Sequence, residues 1–255
     1  MRPFVILALC ALALTACRGQ EEGAAQSTPS DSTAVAADSH ADGPEEIPSR
    51  EQEVARDVGS KPQEVMDFVG IRPGDSVADI FAGGGYHTYQ LSQRVGPSGK
   101  VYAQGYSPGL RARLERGDLA GASNVVLVDS LSDLPEGQLD AALIIRGYHL
   151  FPDPAALFVP LSRALKSGGV VGVVEVRLGQ SHGHDMETHR MGDQQVIDEF
   201  TEAGFEYVGA SDILRNPADD HTEFWEGRRH LTDRMLLKFA KPGEPVPPAT
   251  AQRTP

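Results

Sequence analysis

The sequence predicts an α/β fold: a mostly parallel sheet of seven strands, helices on both faces, and an antiparallel last strand. Three observations predict it. Between residues 50 and 242, short apolar runs alternate with segments whose apolar residues recur at helical spacing. Most of the predicted strands are continuous apolar runs, as expected where helices cover both faces of a parallel sheet. At one junction, Val77-Ala78-Asp79-Ile80-Phe81-Ala82-Gly83-Gly84-Gly85-Tyr86-His87-Thr88, an apolar run passes through a carboxylate and a triple glycine into a helical segment. Glycines let the backbone approach a ligand closely, and the helix start that follows favours anionic groups.

In chain order, Pro62 opens a helix through Val69 that Gly70 closes. The first strand is Ser76–Ile80. A helix over Tyr86–Val95 follows and ends in the turn Gly96-Pro97-Ser98-Gly99. Strand two is Lys100–Gln104, a helix lies around Leu110–Leu119, and strand three is Asn124–Val128. Strand four is Ala141–Ile145, a helix spans Pro154–Leu165, and strand five is Val170–Val176. Asp193 caps a helix ending at Gly204, and strands over Phe205–Ile213 and Arg234–Lys241 complete the sheet. These elements make one domain from residue 50 to 242, long enough for a full core, and no internal repeat is visible.

The flanks read differently. Arg2 precedes a run from Phe4 to Leu14 that is wholly apolar and too short to cross a bilayer. It ends in Leu14-Thr15-Ala16-Cys17, which resembles the lipobox of bacterial lipoprotein signal peptides. The resemblance implies cleavage after residue 16, a lipid on Cys17, and a protein held at a membrane face of the cell envelope without a spanning helix. The other reading is an ordinary secretory signal. Cys10 leaves with the signal and Cys17 carries lipid, so the folded part has no thiol for disulfides, thiolate metal sites or nucleophilic catalysis. Residues 17–49 are small, polar and acidic and cannot bury enough surface to offset ordering entropy, so they read as a flexible tether. From Cys17 to Arg50, two arginines stand against seven acids, a net −5 of the chain's −13. Such acidity argues against nucleic acid as a partner. Residues 243–255 form a loose, Pro-rich tail.

Five β-α units, then a helix and two closing strands, resemble the Rossmann-like fold of the class I S-adenosylmethionine-dependent methyltransferases. A plain dinucleotide-binding fold would end in another parallel unit. The landmarks are Asp79-x-x-x-Gly83-x-Gly85, Asp129 after strand three, and the turn Leu165-Lys166-Ser167-Gly168-Gly169. Gly83 to Tyr86, Tyr148-His149 and His189-Arg190 resemble a group of exported or lipoprotein members. The resemblance implies S-adenosylmethionine as cofactor. Ala82, Gly83, Gly84, Gly85 and Tyr86 would pass by its methionine part, Asp79 would organise that loop and face the amine, and Asp129 would accept from the adenine amino group. Arg146, Tyr148 and His149 would face the crevice at the carboxyl end of strand four, where ligands sit in open α/β sheets. Two positions depart from the pattern. Phe81 replaces the first loop glycine, and Gln104 followed by Gly105 replaces the acid that chelates the ribose diol. An amide there bonds more weakly than a carboxylate, by about 1–2 kcal/mol.

Other features carry two readings each. His149 is the best general-base candidate, or else a histidine that bonds locally and shapes the crevice. Tyr148 is part wall and part substrate contact. His182, His184 and His189, with Asp185, either meet one divalent ion or form a solvated loop at the crevice edge. Phe224, Trp225, Arg228 and Arg229 form a lid or pack against the domain, and Asp219, Asp220 and Glu223 read as a solvated turn. No Gly-x-Ser-x-Gly elbow or phosphate loop with Lys occurs, which leaves hydrolase and triphosphatase readings without support. The leading reading is an envelope-located methyltransferase acting on a small-molecule or envelope-component acceptor. The second is a non-catalytic ligand- or partner-binding protein on the same fold, and a dinucleotide-dependent oxidoreductase is third.

Overall fold

The computed structural model describes residues 47–48, 50–224 and 231–243. The expected signal, Cys17, nearly all of the tether, Trp225, Arg228, Arg229 and the tail lie outside them. The order is α1 (Arg50–Ser60), α2 (Pro62–Val69), β1 (Ser76–Gly83), α3 (Tyr86–Val95), β2 (Lys100–Tyr106), α4 (Pro108–Arg116), β3 (Val125–Val128) and β4 (Leu139–Ile145). Then come α5 (Ala155–Ala164), β5 (Leu165–Val176), β6 (His184–Asp185), β7 (Arg190–Met191), α6 (Asp193–Glu202), β8 (Glu206–Ala210) and β9 (Arg234–Ala240). Seven strands form one sheet in the order β3-β2-β1-β4-β5-β9-β8, and β6 pairs only with β7. The pairs from β3 through β5 are parallel, whereas β9 runs antiparallel to both β5 and β8.

The sheet is covered on both faces, as its apolar strands predict. On one face Ile80, Ile144 and Val173 pack with Leu157 and Leu161 of α5 and Phe200 of α6. Phe200 stacks on Phe239 of β9, ring centroids 4.2 Å apart. On the other face Val77, Val101 and Val174 meet Val65, Met66 and Val69 of α2 and Leu91 and Val95 of α3. Pro62 starts α2 with its φ already set, and Gly70, in the left-handed region, turns its N–H back onto the Met66 carbonyl.

Several predicted boundaries are corrected. β1 and β2 run on to Gly83 and Tyr106 because their ladder continues past a bulge between Ile80 and Gly83, pairing Gly83 with Tyr106. β5 starts at Leu165, since its pairing with β4 resumes there opposite Leu139. The α4 helix begins at Pro108, capped by the Ser107 side chain. The helix assigned to an Asp193 cap is capped by Gly192, and the Asp193 carboxylate instead pairs with Arg177 at 2.6 Å. α1 and the β6–β7 hairpin have no counterpart among the predicted elements.

Candidate functional site

A cavity of about 360 Å3 opens at the carboxyl end of β1. Its floor is the turn Phe81 to Gly84, one side is Tyr86 and His87 of α3, and Ile145 and Arg146 close the end of β4. Arg56 of α1 stands over the Tyr86 ring at 3.6 Å, and the Tyr86 hydroxyl donates to Asp57 at 2.5 Å. α1 thus roofs the glycine turn, and a buried ion pair from Glu53 to Arg113 of α4 fastens it there. Burial, then the charges of Arg56, Arg146 and Arg234, holds the His87 imidazole well below its ordinary value, so it is neutral. The cavity therefore presents arginine side chains beside a glycine turn.

The predicted cofactor residues divide in two. Ala82, Gly83, Gly84, Tyr86 and Arg146 line the cavity, while Asp79, Gly85, Gln104 and Asp129 do not. Asp79 is buried beneath the turn and accepts from Thr88 Oγ1 at 2.6 Å. Burial pushes its carboxyl up to about 7, against the opposing pull of that hydrogen bond. Asp129 is exposed and accepts from the Tyr106 hydroxyl, which in turn accepts from Arg111 at 2.6 Å. Oε1 of Gln104 is buried and takes no hydrogen bond.

The two departures from the family pattern are one structural event. Phe81 lies in the left-handed region at φ 61°, the conformation a glycine would hold there without strain. Its ring turns over Gly147, where an added Cβ would come within 2.4 Å of it, and meets Phe151 edge-on at 4.9 Å. Gly105 also has a positive φ, 65°, and a Cβ on it would sit 3.2 Å from Phe81 Cα. A side chain at position 105 therefore crowds Phe81 and would hold a positive φ as well.

A second cluster joins two dipeptides distant in sequence, Tyr148-His149 and His189-Arg190. His149 is 3 % exposed and Glu175 is fully buried. Nδ1 of His149 lies 3.0 Å from Glu175 Oε2, and Nε2 lies 3.0 Å from Nδ1 of His189. Tyr148 is part of the core, and its hydroxyl donates to Glu199 at 2.5 Å. Arg190 holds the segment by a bidentate pair with Asp219, at 2.9 and 3.1 Å, so Asp219 is a clamp and not a solvated turn. Of the predicted metal candidates, His184 and His189 lie beside His149, with ring centroids 6.1 and 5.0 Å away, while His182 bonds the Asp198 carboxylate at 3.1 Å. Asp185 is engaged in its own turn through Glu187 and Thr188. Among the described residues no three His, Cys, Asp or Glu side chains are grouped to hold a metal. Sequence reasoning missed Glu175 and Arg56. The signal for Glu175 is a lone carboxylate inside the apolar run Val170–Val176.

Residues 78–173 match the methyltransferase domain family. The arsenite methyltransferase of Halobacterium salinarum is 25 % identical over 199 residues, covering 70 % of this chain and 49 % of that protein. The chain thus spans about half the length of that relative. A methyltransferase from Aquifex aeolicus, described as dependent on S-adenosylmethionine, superposes with a TM-score of 0.57 at 18 % identity, covering 75 % of this chain and 97 % of the other. The [4+2]-cyclase SpnF superposes equally, TM-score 0.57 at 18 % identity, over 74 % of this chain and 82 % of its own. The sheet order and the solved structures show a Rossmann-like methyltransferase fold, and residues 78–173 within it match the methyltransferase domain.

Proposed function

We propose that this chain is an S-adenosylmethionine-dependent methyltransferase, lipid-anchored through Cys17 at a face of the cell envelope, acting on a small-molecule or envelope-component acceptor. The observation that carries the reading is the arginine-lined cavity on the glycine turn. Its residues fit the cofactor: Arg56 and Arg146 suit a carboxylate, and the turn from Phe81 to Gly84 lets the backbone come close to it. When bound, the cofactor supplies an electrophilic methyl group on a sulfonium. The chain's residues then align it and exclude water, which is most of what a methyl transfer requires. Calorimetric titration with S-adenosylmethionine and S-adenosylhomocysteine tests this. Micromolar binding, weakened about tenfold or more by Arg56→Ala, is expected, and no heat at millimolar cofactor would remove the reading. For the anchor, Cys17→Ser is expected to abolish palmitate labelling and release the protein from membranes.

A non-catalytic binding role on the same fold is the second reading. Phe81 and Gly105 favour it, since they alter the loop where the family holds its cofactor. The SpnF likeness adds that this fold does not fix the reaction. Cofactor binding without any S-adenosylhomocysteine release across acceptors would favour it.

A further inference from the structure

A second cavity, of about 370 Å3, shares no lining residue with the one on the glycine turn. It lies where the end of α1, the junction into α2, the stretch after β8 and the start of β9 meet. Three cations line it, Lys61, Arg215 and Arg234, and no Asp or Glu among the described residues does. Nζ of Lys61 donates to the Ile213 carbonyl at 2.6 Å, and Nη2 of Arg234 donates to the Gly59 carbonyl at 2.6 Å. These carbonyls fix the two cations in place without cancelling their charge. Arg215 differs, since Asp233 at 2.8 Å and Asp212 at 3.7 Å offset it. Arg234 is only 5 % exposed, and its buried Nε has no hydrogen-bond partner among the described residues. A buried donor left unpaired on a charged group is costly, and burial accordingly holds the Arg234 guanidinium below its ordinary value. An anion beside Arg234 offsets that cost. Apolar groups stand next to the cations. Ala55 and Val58 of α1 line the same cavity, and Val58 is 77 % exposed. Leu231, whose carbonyl accepts from the lining Asn216 at 2.5 Å, is exposed as well.

We propose that this cavity is a binding site for a phosphate ester, with Lys61 and Arg234 on the phosphate and Ala55 and Val58 against the carbon part of the ester. A carboxylate has two oxygens, which one guanidinium fork can satisfy. Here the cations come from separate segments of the chain, so they suit an anion with more oxygens to share among them. The volume is that of a small-molecule site. Two sources carry this chemistry: a soluble phosphate ester and the headgroup of an anionic phospholipid, whose acyl side would meet the exposed Val58 and Leu231. The site stands apart from methyl transfer in both its residues and its ligand.

Calorimetric titration of the full chain with glycerol 1-phosphate, free of cofactor, tests the site. Saturable heat is expected, with neutral glycerol giving none. The chain's net charge of −13 repels anions at long range, so such heat reports a local site. Arg234→Met is expected to weaken binding about tenfold or more. Should that buried substitution not fold, Lys61→Met at a half-buried position is the second variant, with the same expected loss. Neither residue lines the first cavity, so the loss separates the two sites. Sedimentation with vesicles of phosphatidylglycerol, against vesicles of phosphatidylcholine, distinguishes the sources. The apolar run from Phe4 to Leu14 is common to wild type and variants, so the difference between them reads the cavity. A preference for phosphatidylglycerol that the same variants lose assigns the headgroup, and heat with glycerol 1-phosphate without that preference assigns a soluble ester. Binding of neither probe, or binding that both variants leave unchanged, overturns the proposal.

Discussion

Asp79 carries the chain's most legible motif and also a measurable cost. Its carboxyl is pushed from 3.8 to about 7 by burial. Below pH 4 it is protonated in folded and unfolded chains alike, and burial of the neutral form costs little. As pH rises, the unfolded chain ionises first, so stability is lost from about pH 4 to about pH 7, by at most about 4 kcal/mol. Asp79→Asn is therefore expected to match wild type near pH 4.5 and to exceed it by about 2–4 kcal/mol at pH 8, read by denaturant unfolding. A difference independent of pH would show that burial of the charge is not the cause. The residue's identity was visible in the sequence. Its place beneath the cavity was not, because depth follows from how far β1 runs past it. Glu175 shows the opposite case: the sequence placed it on a strand, and only its meeting with His149 gave it a role.

At the scale of elements, strand cores were legible and strand ends were not. Apolar runs mark where side chains are buried, but the extensions to Gly83, Tyr106 and Leu165 are set by backbone ladders that leave no side-chain pattern. α1 was invisible for another reason. It has no apolar stripe; Val54 and Val58 are exposed, and it docks through Glu53 onto Arg113. The β1 and β2 ends can be tested together. Gly105→Asp forces a left-handed aspartate against Phe81 and is expected to cost about 2 kcal/mol. In a Phe81→Gly background the same change is expected to cost less, because the ring contact is lost while the backbone contact and the positive φ remain, as a double-mutant cycle would report. The double variant is also expected to bind S-adenosylmethionine about tenfold more tightly. Equal costs in both backgrounds would show that the two positions act independently.

Across the whole molecule the decisive element is β9, which comes last among the strands yet lies inside the sheet between β5 and β8. It buries Met235, Leu236, Leu237 and Phe239, each worth about 2 kcal/mol, so together they rival the net stability of a domain. A chain ending at residue 233 is expected to lose cooperative unfolding and to aggregate through the bared edge of β5; a folded, soluble truncation would contradict this. The fold class was readable because the antiparallel close follows from element order, whereas the convergence of Tyr148-His149 on His189-Arg190 depends on a hairpin too short for periodicity to reveal. The same placement of β9 has a consequence for timing. During synthesis the sheet stays incomplete until β9 has left the ribosome, well after β5 is available to pair. Until then the edge of β5 stays bare, so the interval before β9 arrives is when the growing chain is most open to pairing with strands of other chains.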